Sequence, residues 1–112
     1  MKKITDFSNK NLLLVDDDSP FRERLARAME KKGFHVSQAE SVKKGIESVK
    51  QSCPGFAVVD LRLGDGNGLE VVKEIKKKGP DSRVIMLTGY GNIPTAVAAV
   101  KDGAIDYLAK PA

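Results

Sequence analysis

The chain has 112 residues, of which 41% are hydrophobic and 30% are charged. This balance indicates one soluble globular domain and excludes a disordered or fibrous chain. The formal net charge is +4, and the lysines fall on predicted outer faces of helices. We interpret them as a solvated surface rather than a nucleic-acid contact. No apolar run could cross a bilayer or act as a signal peptide. The single cysteine, Cys53, cannot form an internal disulfide, so we predict a cytoplasmic protein.

Apolar runs alternate with amphipathic helix patterns along the chain, which is typical of a parallel sheet with crossover helices. We expect a flexible polar leader over residues 1–10 and one domain over residues 11–112. Five strands are predicted, at residues 12–15, 34–39, 56–60, 83–88 and about 106–109.

The first predicted helix follows three acids that end the first strand. Ser19 is the expected N-cap, and Pro20 stands at the first helical position, where a missing N–H costs nothing. An apolar stripe at helical spacing is expected to face the sheet; it consists of Phe21, Leu25, Ala28 and Met29.

Three more helices are predicted. Ser41 caps the second, the third carries Leu69, Val72 and Ile75, and the fourth starts near Pro94 and ends by Gly103. A parallel sheet needs cover on both faces. A fifth helix is therefore expected after Pro111, and the domain is expected to be truncated before it.

A glycine-rich loop, residues 64–68, follows the third strand. A calcium loop is one reading of it, but Lys76 stands where the closing Glu would have to be. A turn with positive φ fits these residues better.

Four of the predicted strands carry polar side chains at or just after their carboxyl ends, the edge where open α/β sheets bind ligands. These side chains are Asp16 to Asp18, Asp60, Thr88 and Lys110. Clustered carboxylates need a neutralising cation, and oxygen ligands without His or Cys favour Mg²⁺, with Mn²⁺ possible, over zinc.

The residue types at this edge suit phosphoryl transfer. A cation touching Asp17 and Asp60, with Asp16 reaching it directly or through water, would leave room for phosphate oxygens. Thr88 and Lys110 could then bind the phosphoryl group, and Asp60 would be the nucleophile. We interpret Asp18 as an aid to the start of the first helix.

Five motifs in this order resemble a response-regulator receiver domain. They are Leu-Val-Asp-Asp at 14–17, Val-Val-Asp at 58–60, Asp-Gly-Asn-Gly-Leu at 65–69, Leu-Thr-Gly at 87–89 and Asp-Tyr-Leu-Ala-Lys-Pro at 106–111. The resemblance implies a flavodoxin-like (CheY-like) doubly wound fold, with a five-stranded parallel sheet in the order 2-1-3-4-5 and the last helix missing from this chain.

Residue roles follow from the resemblance. It implies that Asp60 is the phosphoacceptor, that Asp16, Asp17 and Asp60 bind the metal, and that the backbone carbonyl of Arg62 is a further ligand. It also implies a switch pair, Thr88 and Tyr107, and a phosphate-sensing Lys110 before a cis bond to Pro111. Arg62 and Tyr90 are expected to flank the phosphoryl group.

Two longer stretches, residues 60–69 and 87–101, resemble the RegA/PrrA/ActR group of redox-responsive regulators. This resemblance implies a sensor histidine kinase as phosphoryl donor and a C-terminal DNA-binding domain that is absent from this chain. It also implies a homodimer through the fourth helix and last strand.

The leading hypothesis is a phosphorylation-controlled signalling domain that catalyses its own phosphorylation and is not a turnover enzyme. A phosphorylation-independent interaction domain on the same fold is the alternative, and the intact acidic site argues against it. A phosphatase would need an acid/base group and a cap that a chain this short does not provide. A flavodoxin-like cofactor binder would need a first loop rich in Gly, Ser and Thr rather than in acids.

Overall fold

A computed structural model describes residues 9–89 and 106–109 of the chain. The elements in chain order are β1 (Asn11–Val15), α1 (Ser19–Lys31), β2 (His35–Ala39), α2 (Val42–Gln51), β3 (Phe56–Asp60), β4 (Arg62–Leu63), β5 (Gly66–Asn67), α3 (Leu69–Lys78), β6 (Arg83–Thr88) and β7 (Asp106–Ala109). The fourth helix that the sequence predicts near residues 94–103 lies outside the described residues. None of the described helices is long and apolar enough to cross a membrane.

Five strands form one parallel sheet in the order β2-β1-β3-β6-β7. The two-residue strands β4 and β5 pair only with each other. β6 and β7 are therefore the fourth and fifth strands of the prediction, and the predicted order 2-1-3-4-5 is confirmed. The predicted bounds of the third, fourth and fifth strands are confirmed. β1 and β3 lie side by side at the centre, with Leu14 opposite Val58, and continuous apolar runs suit strands covered on both faces.

One face of the sheet packs against α2 and α3 and forms the larger part of the core. Its buried residues include Leu13, Val15, Ala57, Val59, Val84 and Met86 from the sheet and Val49, Val71, Val72 and Ile75 from the two helices. α2 approaches closely because Gly45 has no side chain. A Cβ at Gly45 would lie 3.2 Å from Val71 Cγ2 and 3.3 Å from Val15 Cγ2.

The other face is covered by α1 and is less completely buried. Leu12, Leu14 and Ala26 are buried there, while other apolar side chains that pack on them are only half-buried; these are Leu25, Met29, Phe34, Val36, Phe56 and Val58. The predicted stripe of α1 was wrong at Ala28, which is exposed. The face that packs on the sheet carries Leu25, Ala26 and Met29. Around the helix axis, Ala28 lies on the side of Leu25 that is turned away from Ala26 and Met29, and so it faces solvent.

Helix α1 begins one residue earlier than predicted. Asp18, not Ser19, is the N-cap, and its Oδ1 accepts a hydrogen bond from Phe21 N at 3.2 Å. Ser19 is the first helical residue and Pro20 the second. The predicted help of Asp18 at the helix start is confirmed, and its carboxylate also suits the positive end of the helix dipole.

The loop after β3 folds into a two-residue antiparallel pair, β4 and β5, that the sequence did not predict. Arg62 pairs with Asn67 and Leu63 with Gly66. Gly66 has a φ of 154°, so the expected positive-φ turn is confirmed at this residue. Asn67 Oδ1 accepts a hydrogen bond from Leu69 N at 2.8 Å at the start of α3.

Asp65, at the tip of this loop, binds the N-terminus of α2. Its Oδ1 accepts a hydrogen bond from Val42 N at 2.8 Å, and its Oδ2 accepts one from Lys43 N at 3.1 Å. Ser41 Oγ accepts from Lys44 N at 3.1 Å, so the predicted Ser41 cap is confirmed. Three N–H groups that would otherwise have no partner within the helix are therefore satisfied. The backbone donors of Val42 and Lys43 lower the pKa of the exposed Asp65 from 3.8.

We expect Asp65→Asn to lower the free energy of unfolding at neutral pH, because the amide has one acceptor oxygen for two N–H groups. The pKa of Asp65 is lower in the folded chain than in the unfolded chain. Its stabilisation is therefore present above pH 3.8 and is lost as the pH falls through the folded pKa. Urea unfolding should show a gap between wild type and variant at neutral pH that closes in acid.

The matched control is Asp81→Asn, in the exposed turn between α3 and β6. It removes the same charge without touching the start of α2. An Asp65→Asn gap that stays constant across this pH range would contradict the prediction.

Candidate functional site

Two adjacent carboxylates follow the buried strand β1. Asp16 is 2% exposed, whereas Asp17 is exposed. The backbone of Asp16 continues the sheet, since Asp16 N donates to Ala39 O at 3.1 Å. Its side chain reaches forward to the next turn of the chain, where its Oδ1 accepts a hydrogen bond from Asp18 N at 2.9 Å. The sheet pairing and the hydrogen bond in the loop therefore fix the backbone position from which these two carboxylates project.

Asp60 ends the neighbouring strand β3 and is 5% exposed. The backbone around it is held on both sides, because Leu61 N donates to Leu87 O and Gly68 N donates to Leu61 O, each at 2.8 Å. Arg62 N donates to Asp60 Oδ1 at 3.3 Å. Asp60 is thus a nearly buried carboxylate in a rigid backbone setting.

The structure brings the predicted acids together. One carboxylate oxygen each from Asp16, Asp17 and Asp60 lie within 4.8 Å of one another. Two unit charges at about 4–5 Å repel by about 3–4 kcal/mol at an effective dielectric constant of ~20. A cation between the three would remove this repulsion. Carboxylate oxygens are the donors that hard divalent cations such as Mg²⁺ prefer, so the donor set fits the predicted metal.

Five other site residues were predicted, and the structure describes four of them in part or not at all. Thr88 ends β6 beside Ala109, and Tyr107 lies in β7 beside Met86, so the backbones of this pair are on adjacent strands. Their side chains lie outside the described part of the chain, and so do Tyr90, Lys110 and the predicted cis bond to Pro111. Arg62 is exposed in β4, and the role of its carbonyl as a metal ligand stays a prediction.

Gly68 is a site residue whose role sequence reasoning missed. A Cβ at this position would overlap the carbonyl oxygen of Asp60 and would lie 2.9 Å from Val59 Cγ1. The φ of Gly68 is −58°, a conformation open to any residue, so close approach and not backbone freedom requires glycine here. A glycine in a glycine-rich loop gives no signal of such a contact.

We expect Gly68→Ala to destabilise the chain by about 1–3 kcal/mol, as overpacking of a filled site does. Gly64 in the same loop provides a matched control, since a Cβ there would meet no atom within 4 Å, and Gly64→Ala should change stability little. Urea unfolding of both variants measures the difference. Equal stability of the two variants would show that the loop yields without cost.

Comparison with known proteins identifies relatives over nearly the whole chain. The profile of the response regulator receiver domain matches residues 12–112. The photosynthetic apparatus regulatory protein RegA of Rhodobacter capsulatus is 59% identical over 105 residues, which cover 94% of this chain and 57% of RegA. The acid tolerance regulatory protein ActR of Sinorhizobium medicae is 62% identical over 104 residues, which cover 93% of this chain and 54% of ActR. The chain thus spans little more than half the length of these relatives.

Solved structures show the same fold. A response regulator protein from Burkholderia pseudomallei, with a phosphorylated aspartic acid, calcium ion and citrate, superposes with a TM-score of 0.85 at 43% identity and covers 93% of this chain and 61% of that one. The receiver domain of NtrX from Brucella abortus gives a TM-score of 0.81 at 32% identity, covering 90% of this chain and 86% of that one. The sheet order, the acidic cluster and these relatives agree: the chain belongs to the response regulator receiver domain family.

Proposed function

We propose that the chain is a phosphoacceptor module that receives a phosphoryl group on Asp60 and changes shape in response. The observation that carries the proposal is the group of three carboxylates of Asp16, Asp17 and Asp60 within 4.8 Å at the carboxyl edge of the sheet. Hydrophobic packing does not require acids there, and two of the three are almost fully buried. A cation bound among three such carboxylates would offset their mutual repulsion.

Mg²⁺ is the proposed cofactor, with Mn²⁺ able to replace it. Asp16, Asp17, Asp60 and the carbonyl of Arg62 would hold it. When bound, the ion neutralises the carboxylates and the phosphate oxygens that approach them.

Asp60 is the proposed nucleophile. One carboxylate oxygen forms a bond to phosphorus while the bond from phosphorus to the donor breaks, and the donor leaves with the bonding electrons. With a phosphohistidine donor the leaving group is the imidazole ring, whose nitrogen keeps the electron pair of the broken bond; the ring leaves neutral, with its one proton already on the other nitrogen or taken from solvent. The hydrogen bond from Arg62 N to Asp60 Oδ1 orients the carboxylate, so the chain's main contribution is positioning.

Thr88 and Lys110 are the proposed partners of the phosphoryl oxygens once the group is on Asp60. Thr88 and Tyr107 would form the switch pair that transmits the change, which is supported by the adjacency of β6 and β7. Arg62 and Tyr90 would flank the group, and the bulky Tyr90 would limit the access of water. The module would lose its phosphoryl group slowly and is not proposed as a turnover enzyme.

The proposed partners follow from the relatives, which are regulatory proteins longer than this chain. A sensor histidine kinase would donate the phosphoryl group to this chain, for which we propose a cytoplasmic location. The output would be regulation of transcription, with DNA bound by a separate C-terminal domain. The face of the predicted fourth helix and the last strand is the proposed surface of a receiver homodimer. We propose residues 11–112 as the receiver domain and the residues before them as a leader.

The phosphoacceptor role predicts a covalent adduct. Incubation with acetyl phosphate and Mg²⁺ should add one alkali-labile phosphoryl group to the chain, detected by intact mass. Asp60→Asn should abolish the adduct, and omission of Mg²⁺ should do the same, whereas Asp81→Asn should retain it. A chain that stays unmodified under all conditions would favour the phosphorylation-independent interaction domain.

The metal site predicts opposite effects of one substitution with and without Mg²⁺. Mg²⁺ at a hundred times its dissociation constant should stabilise the wild type by about 2.7 kcal/mol, and Asp17→Asn should lose most of this gain. Without Mg²⁺, Asp17→Asn should be at least as stable as the wild type, because one of three repelling charges is gone. Urea unfolding with and without Mg²⁺ measures both effects. An equal response to Mg²⁺ in the two proteins would place the metal elsewhere.

A further inference from the structure

The side chain of Arg22, on α1, reaches back to the loop that carries the acid pair. Its Nη1 donates a hydrogen bond to the carbonyl oxygen of Asp16 at 2.7 Å. Its Nε donates to Gln38 Oε1 on β2 at 2.9 Å, and its Nη2 donates to Ser19 Oγ at 3.4 Å. The half-buried guanidinium therefore connects the β1–α1 loop, the helix and the edge strand.

The contact with the Asp16 carbonyl matters because of where that carbonyl lies. Asp16 N is held by the sheet through Ala39 O, and Asp16 O is held by Arg22. The peptide unit between Asp16 and Asp17 is thus fixed from its carbonyl side, and this unit sets the direction in which the exposed Asp17 leaves the strand. A charged donor gives the hydrogen bond more strength than a neutral one would.

We propose that Arg22 is a positioning residue for the divalent cation site, acting through the backbone of Asp16 and not by touching the ion. The proposal rests on the proposed function, since it assumes that Asp16, Asp17 and Asp60 bind Mg²⁺. A planar guanidinium suits the task, because its fixed fork of donors can serve a carbonyl, an amide oxygen and a hydroxyl together.

Removal of Arg22 has two opposite expected effects on the affinity for a cation, one from its charge and one from its hydrogen bond to the backbone. The guanidinium is a positive charge next to a residue of the acidic cluster, so by charge alone its loss should tighten the binding of a cation. Loss of the hydrogen bond to the Asp16 carbonyl should instead weaken cation binding, because the backbone that positions the carboxylates of Asp16 and Asp17 is no longer held. Partners that orient metal ligands typically contribute about 10-fold or more to metal affinity.

The experiment measures the Mg²⁺ dissociation constant by calorimetric titration for the wild type, Arg22→Ala, Arg22→Lys and Arg24→Ala. Arg24 is exposed on the same helix, so Arg24→Ala removes an equal charge without removing the hydrogen bond to the Asp16 carbonyl. Metal-free unfolding of each protein, followed by circular dichroism, sets a titration temperature at which every variant is folded. A purely structural role would change the unfolding midpoint and leave the affinity of the folded protein unaltered.

We expect Arg22→Ala to bind Mg²⁺ about 10-fold more weakly than the wild type. Arg22→Lys should show a smaller loss, since one ammonium cannot serve three separate acceptors in a fixed fork. Arg24→Ala should bind no more weakly than the wild type. Arg22→Lys decides the matter if Arg22→Ala does not fold.

Arg22 variants that bind Mg²⁺ as tightly as the wild type, or more tightly, would overturn the positioning role while leaving the metal site intact. A wild type that binds no Mg²⁺, or whose binding survives Asp17→Asn, would overturn the metal site and the positioning role together. The two failures are therefore distinguishable in the same titration series.

Discussion

The burial of β1 and β3 side by side at the centre of the sheet is the constraint on which the rest of the molecule depends. Leu13, Val15, Ala57 and Val59 are all almost inaccessible to solvent, and burial of a Leu or Val side chain contributes about 1.5–3 kcal/mol. Together they outweigh the few kcal/mol by which the acids at the strand ends repel one another. The core therefore holds these carboxylates close together in spite of their repulsion, and the proposed cation site depends on this separation.

The loops at this edge are held by contacts that come from outside them. Arg22 binds the loop after β1, and Asp65 ties the loop after β3 to α2. Gly68 brings the start of α3 against the backbone of Asp60. Each contact holds backbone close to the acids at this edge of the sheet.

The strands and the acidic cluster could be predicted from the sequence because both depend on local pattern. A continuous apolar run predicts a buried strand, and parallel strands deliver their last residues to one edge. Bounds and caps were less predictable. Ser41 and Ser19 look alike in sequence, yet only Ser41 caps a helix, because Asp18 before Ser19 offers a carboxylate to the same N–H groups. Contacts between distant residues left no local signal; Asp65 is 23 residues from Val42 in the chain, and the β4–β5 pair is too short to show a strand pattern.

The double cap of α2 has a consequence for exchanging segments between related domains. Ser41 belongs to the segment before α2, whereas Asp65 belongs to the loop after β3. The residues that cap the start of this helix therefore come from two separate segments of the chain. A chimera that takes the β3–α3 loop from one parent and Ser41 with α2 from another keeps a matched pair of caps only if both parents carry Ser41 and Asp65. The unit that can be transplanted intact runs from residue 41 through residue 65, with the strand between them.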